Sequence, residues 1–312
     1  MKRHITLLAL TAALLLTVNV ATHAQVITDL GRRSMDIPHG DRPDDNLPVT
    51  ATTDYHLMLD TTSVYYHLVD SAQTFIDTGD LARAEQCLHR AFALDPTNAA
   101  NSLLLSNLGT IQRMQGKPDE ALRTYTLAID LTPNAVTLLL NRAATHLELG
   151  NIAKSISDFQ RVRALDETDT ESRYVLAMLG IELGQDSLAS QCVAELAKIA
   201  PGDLSTLEAQ AALAKSQGDY SNAIGFYGQA IDKQADAALY SNRADCHLML
   251  RQLTEASEDI ANSLAIDPDD GFTYALRAKL NKMRYNYEDM ERDIQLAVQH
   301  GVDAAYLKEL LK

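Results

Sequence analysis

The chain has no tryptophan, five phenylalanines and three cysteines in 312 residues. Three thiols cannot build the disulfide framework by which small exported domains replace a hydrophobic core, so the fold has to rest on packing. None of them forms a Cys-x-x-Cys pair. Also missing are a His-Glu-x-x-His zinc pair, a phosphate loop ending in Gly-Lys-Ser or Gly-Lys-Thr, and a Gly-x-Ser-x-Gly elbow; the nine histidines are scattered. Basic residues are short as well. With 27 Lys and Arg against 42 Asp and Glu, the formal charge is -15 and the pI about 4.9. That balance argues against a nucleic-acid backbone or an anionic membrane surface as the main partner. No catalytic, metal-binding or cofactor-binding constellation stands out, and an enzyme is the least supported class.

One long apolar run is present, at the start. Lys2 and Arg3 precede an apolar stretch from Ile5 to Val20, followed by Thr22, His23 and Ala24 before Gln25, the layout of a secretory signal over residues 1–24. An uncleaved anchor is the alternative, although Thr11, Thr17 and Asn19 interrupt the run and favour removal. No cysteine sits near the cut, which argues against a lipid-anchored lipoprotein. No later stretch is long and apolar enough to span a bilayer, so no stable membrane insertion is expected after cleavage. The expected location is exported, periplasmic or associated with the cell envelope. Residues 25–64 form a polar lead-in rich in Asp, Arg, Pro and Gly up to about Thr53. In it Tyr55, Leu57 and Leu59 suit either a short strand or an extra helical turn.

Beyond the lead-in the chain repeats itself. From Ser102 to Asn134, Leu105, Leu108 and Gly109 share one helical face, Gly116 breaks the pattern, and Ala121, Tyr125 and Ala128 resume it before Pro133. That is two amphipathic helices joined by a tight turn. Equivalent turn markers are Gly79, Gly116, Gly150, Gly184, Gly218, Arg251 and Tyr285, with steps of 37, 34, 34, 34, 33 and 34 residues. Seven residues before each marker stands a small residue: Ala72, Gly109, Ala143, Ala177, Ala211, Ala244 or Ala278. Five after it come Ala84, Ala121, Ser155, Ala189, Ala223, Ala256 and Met290. Nine after it a large apolar group follows, Leu88, Tyr125, Phe159, Val193, Tyr227, Ile260 or Ile294. Small residues let two helices approach, and the large one fills the space between neighbours. Pro96, Pro133, Pro201 and Pro268 end four of the units, since proline cannot continue a helix interior.

A 34-residue period with these positions resembles the tetratricopeptide repeat family. The resemblance covers roughly Tyr65 to Asp303. It implies an all-α fold, an α-solenoid of about seven tandem helix-turn-helix units forming a superhelix, closed by a short C-terminal capping helix. The units run 65–98, 102–135, 136–169, 170–203, 204–236, 237–270 and 271–304, with the cap at 305–312. Ala305, Leu307, Leu310 and Leu311 give that tail an apolar side with which to cover the last exposed face. A partner-binding hook is its rival role. Arg173 departs from the family pattern by standing where other units carry Leu or Tyr, and Arg251 and Tyr285 replace a turn glycine.

In this family the first helix of each unit lines a concave groove. The resemblance therefore implies that the groove presents Leu103 and Asn107, then Leu140 and Asn141, then Tyr174, Val175 and Met178, then Asn242, Asp245, Phe272, Leu276 and Lys279. Asn107, Asn141 and Asn242 occupy equivalent places, where an amide can donate to and accept from an extended peptide backbone or simply face solvent. Leu140, Tyr174, Val175 and Met178 suit an apolar floor. The carboxylate clamp of chaperone-type members is not reproduced, because Val69, Ser106, Thr137 and Glu171 stand in its places. His146 and His247 share a helical position but lie three units apart, which disfavours a shared metal. Asp267, Asp269, Asp270 and Gly271 lack the spacing and closing Glu of a calcium loop. The implied function is a non-enzymatic scaffold of the bacterial cell envelope that binds a protein or peptide. The alternatives are a self-assembling envelope component, which implies a homo-oligomer, and, more weakly without tryptophan, a carbohydrate-binding accessory protein.

Overall fold

A computed structural model describes residues 61–312. The leader at 1–24, most of the lead-in and the Tyr55, Leu57, Leu59 alternation lie outside the described residues. The described residues form fifteen α-helices and no strand. They are α1 (Thr61–Asp77), α2 (Leu81–Leu94), α3 (Asn101–Met114), α4 (Pro118–Leu131), α5 (Val136–Glu148), α6 (Ile152–Leu165), α7 (Glu171–Glu182) and α8 (Asp186–Ile199). These are followed by α9 (Leu204–Ser216), α10 (Tyr220–Lys233), α11 (Ala237–Met249), α12 (Leu253–Ile266), α13 (Gly271–Met283), α14 (Tyr287–Gln299) and α15 (Ala304–Leu310). Helix α1 starts at Thr61, so the last four residues of the segment assigned to the lead-in are helical. The tail helix likewise begins one residue before the expected cap and stops at Leu310.

Successive helices pair into seven antiparallel hairpins, α1 with α2 through α13 with α14. Each hairpin turns by the same device. At the end of α3 the Gly116 amide donates to the Arg113 carbonyl at 2.9 Å and the Lys117 amide to the Gln112 carbonyl at 2.8 Å, with Gly116 at a φ of 74°. This paired closure satisfies carbonyls the helix end would leave bare, and it needs a left-handed residue, for which glycine carries no side-chain penalty. Arg251 and Tyr285 make the same pairs of bonds, to Leu248 and Lys282 from their own amides and to His247 and Asn281 from the amides that follow. They hold φ at 57° and 62° to do so.

The small residues lie where the two helices of a hairpin cross. Ala177 and Ala211 are fully buried, as are Ala143, Ala244, Ala121, Ala189 and Ala223. At Gly109 the fit is tighter still: a Cβ there would stand 2.5 Å from Cε1 of Tyr125. Tyr125 and Phe159 are buried, filling the space that the small residues leave. Met290 is half-buried and keeps its bulk at a hairpin crossing that elsewhere takes Ala or Ser.

The chain divides into two units, with the break between Glu167 and Thr168. The first holds α1 to α6, with Tyr65, Leu88, Leu108, Ile111, Leu139 and Phe159 in its core. The second holds α7 to α15. Its buried clusters gather around Leu207 and Tyr227, around Leu248, Ile260 and Leu276, and around Ala275, Ala297, Val302 and Leu307. In the last cluster Leu307 of α15 sits against the final hairpin, and Lys282 donates to the carbonyl of Leu311. Helix α15 therefore caps the array.

Candidate partner-binding groove

The first helices of the hairpins carry the residues expected to line a groove, and each unit has its own set. In the first unit Leu103 is half-buried, Leu140 is 8% exposed, and Asn107 and Asn141 are each 1% exposed. Neither Oδ1 nor Nδ2 of Asn107 has a hydrogen-bond partner among the described residues. A buried polar group left so costs about 1–3 kcal/mol. Around it the polar side chains are engaged. The Thr110 hydroxyl lies 3.0 Å from that of Tyr125. One turn on, the buried Arg113 guanidinium reaches Glu148 of the next hairpin. Burial alone would lower the Arg113 pKa, but hydrogen bonding and attraction from Glu148 raise it above its ordinary value.

In the second unit Tyr174 and Met178 are half-buried, and Val175, at 3% exposure, belongs to the core. The Tyr174 hydroxyl donates to Oε2 of Glu208 at 2.9 Å. Burial raises the Glu208 carboxyl, and that hydrogen bond offsets only part of the rise. Leu276, read from sequence as a lining residue, is fully buried between Leu248 and Ile260. Its side of α13 faces the neighbouring hairpin.

Asn242 differs from Asn107 although the two stand at the same place in their helices. Its Oδ1 accepts from Nζ of Lys215 at 3.0 Å and its Nδ2 donates to the Ala238 carbonyl at 2.9 Å. Lys215 continues to Asp245 at 2.9 Å, and Lys279 approaches the same carboxylate at 3.5 Å. Burial by itself would raise Asp245, yet the two lysines hold it below the usual carboxylate value. Beside them, burial pushes the Cys246 thiol up to about 11, so it stays protonated and unreactive at neutral pH.

Sequence reasoning missed Arg113, Lys215 and Glu208. A signal existed for the cations. Three residues before the turn marker the hairpins carry Ile76, Leu147, Ile181 and Leu248, whereas three of them carry Arg113, Lys215 and Lys282. Each of these cations ties its hairpin to the next element in the chain: Arg113 to Glu148, Lys215 to Asp245, Lys282 to the last carbonyls. A charge at an apolar place thus marks a cross-tie. Arg173, also at an apolar place, ties the two helices of its own hairpin instead: its buried guanidinium donates to Glu195 of α8 at 3.0 Å.

The comparisons with known proteins agree with this architecture. A family model described as tetratricopeptide repeat matches residues 69–136, 107–170 and 208–271, together more than half of the chain. The chain belongs to the tetratricopeptide repeat family. A crystal structure of a tetratricopeptide repeat protein from Parabacteroides merdae ATCC 43184 is 31% identical, covers 80% of this chain and 97% of its own, and superposes with a TM-score of 0.67. The DnaJ homolog subfamily C member 7 homolog of Schizosaccharomyces pombe is 25% identical over 246 residues, 77% of this chain and 39% of that protein. The mitochondrial import receptor subunit TOM34 of Pongo abelii is 25% identical over 226 residues, 59% of this chain and 72% of its own length. Tetratricopeptide repeat proteins are protein-interaction scaffolds, and no catalytic family is indicated. Among the described residues no helix is long and apolar enough to cross a membrane.

Proposed function

We propose that this tetratricopeptide repeat protein is a non-enzymatic scaffold that holds an extended segment of another protein along the first helices of residues 61–167, with Asn107 as the central contact. The observation that carries this reading is the state of that amide. It sits on a first helix and has an unused donor and an unused acceptor, both closed to solvent, so a partner backbone has to displace the side chains over it to reach them. A peptide backbone offers the matching acceptor and donor at one residue. The equivalent Asn242 has its carbonyl oxygen and one amide hydrogen engaged by Lys215 and Ala238, so the second unit contributes less of this kind of recognition. Leu103 stands one turn before Asn107 on the same helix. The signal-like residues 1–24 support an exported protein of the cell envelope, and the charge of -15 favours a neutral or basic partner.

Asn107→Ala removes both unused groups without opening a large cavity, so the melting temperature should hold or rise. Recovery of the bound partner from the native cell, measured by quantitative pull-down against the unaltered protein, should fall at least tenfold. Equal recovery by both proteins would refute the groove reading.

A further inference from the structure

An open cavity of about 670 Å³ lies in the first unit, lined by residues of α4, α5 and α6. Its floor is a fixed ion pair: Nε and Nη2 of Arg142 donate to the two oxygens of Asp158, each at 2.8 Å, and Nη1 to the Thr126 hydroxyl at 3.3 Å. That pair neutralises itself. Arg123 and Lys154 also line the cavity, are exposed, and make no ion pair among the described residues, while Asp130 is the carboxylate left to oppose them. His146 lines it too, nine-tenths buried, with an Nδ1 that is closed to solvent and has no hydrogen-bond partner among the described residues. Leu122 and Leu127 add an apolar wall.

The repeat supplies an internal control. Arg243 and Asp259 reproduce the floor pair at 2.7 and 2.8 Å, and His247 stands where His146 does. There the imidazole is engaged, by Gln252 at 2.6 Å and Asp259 at 3.7 Å. In that hairpin's setting Gly225 takes the place of Arg123 and Glu255 that of Lys154. The Arg and Asp pair recurs once more at Arg277 and Asp293, whereas the two cations and the idle imidazole do not recur with it. In a chain of charge -15 their convergence on one cavity needs another reason.

We propose that this cavity binds a small organic oxyanion, a phosphate, sulfate or carboxylate, held between Arg123 and Lys154 beside His146, with its apolar part against Leu122 and Leu127. None of its lining residues is among those proposed to line the groove, so it stands or falls independently of the groove.

The test is a titration of the full chain, labelled at its histidines, with inorganic phosphate and then phenyl phosphate, followed by NMR; His146→Gln assigns the His146 signal. Phosphate should shift that signal saturably, and phenyl phosphate should bind more tightly by at least threefold. Arg123→Gly with Lys154→Glu, which copies the residues found at the second place, should weaken both by at least tenfold while the circular dichroism spectrum stays unchanged. Asn107→Ala should leave both titrations as they were. No saturable shift, or an unaltered shift in the double variant, would overturn the site. Equal affinity for the two phosphates would remove its apolar half.

Discussion

Arg251 and Tyr285 stand at the turns of α11 into α12 and α13 into α14 with positive φ, a conformation in which the Cβ crowds the following carbonyl at about 1–2 kcal/mol per residue. Neither side chain recovers that cost by burial, since both are exposed. Arg251→Gly and Tyr285→Gly should therefore each raise stability by about 1 kcal/mol, less than the full strain because glycine also loosens the unfolded chain. Urea unfolding would show the gain as a higher midpoint at constant slope. Both departures are readable from the 34-residue spacing, because a turn marker is fixed by its neighbours in the series. The idle amide of Asn107 is not readable in that way. Asn107 and Asn242 are identical in type and place, and what separates them are the bonds the second makes to Lys215 and to the Ala238 carbonyl.

At the level of the hairpin, packing is set by one close approach per helix pair. In α3 and α4 that approach is Gly109 against the ring of Tyr125, whose hydroxyl is held 3.0 Å from Thr110. The ring cannot step aside without giving up that bond. Gly109→Ala, normally favourable inside a helix, should here cost about 2 kcal/mol through overpacking. Thermal unfolding would register the loss, and Gly109→Ala combined with Tyr125→Phe should recover part of it if the anchored hydroxyl is what blocks relaxation. The sequence indicates that a small residue belongs seven places before the turn. It does not indicate that this one tolerates no Cβ, since Ala143 and Ala177 occupy the same place comfortably.

Across the molecule, stability in stacked hairpins is a sum of local terms between neighbours. Leu307→Ala, which uncovers Ala275, Ala297 and Val302, should cost about 2–3 kcal/mol. Amide exchange should accelerate in residues 271–312 and stay unchanged in 61–167; uniform acceleration would show a cooperativity that local packing does not supply. The period, the crossing residues and the hairpin turns follow from the sequence alone, because a repeat writes the same contact into the chain seven times. Leu276 was misplaced because a helical stripe gives a direction only relative to neighbours not yet positioned. Which amide is left idle, which cations become cross-ties, and where Arg123 and Lys154 converge were decided by tertiary structure. Those properties belong to pairs of residues on different helices, and a one-dimensional pattern records each member without its partner.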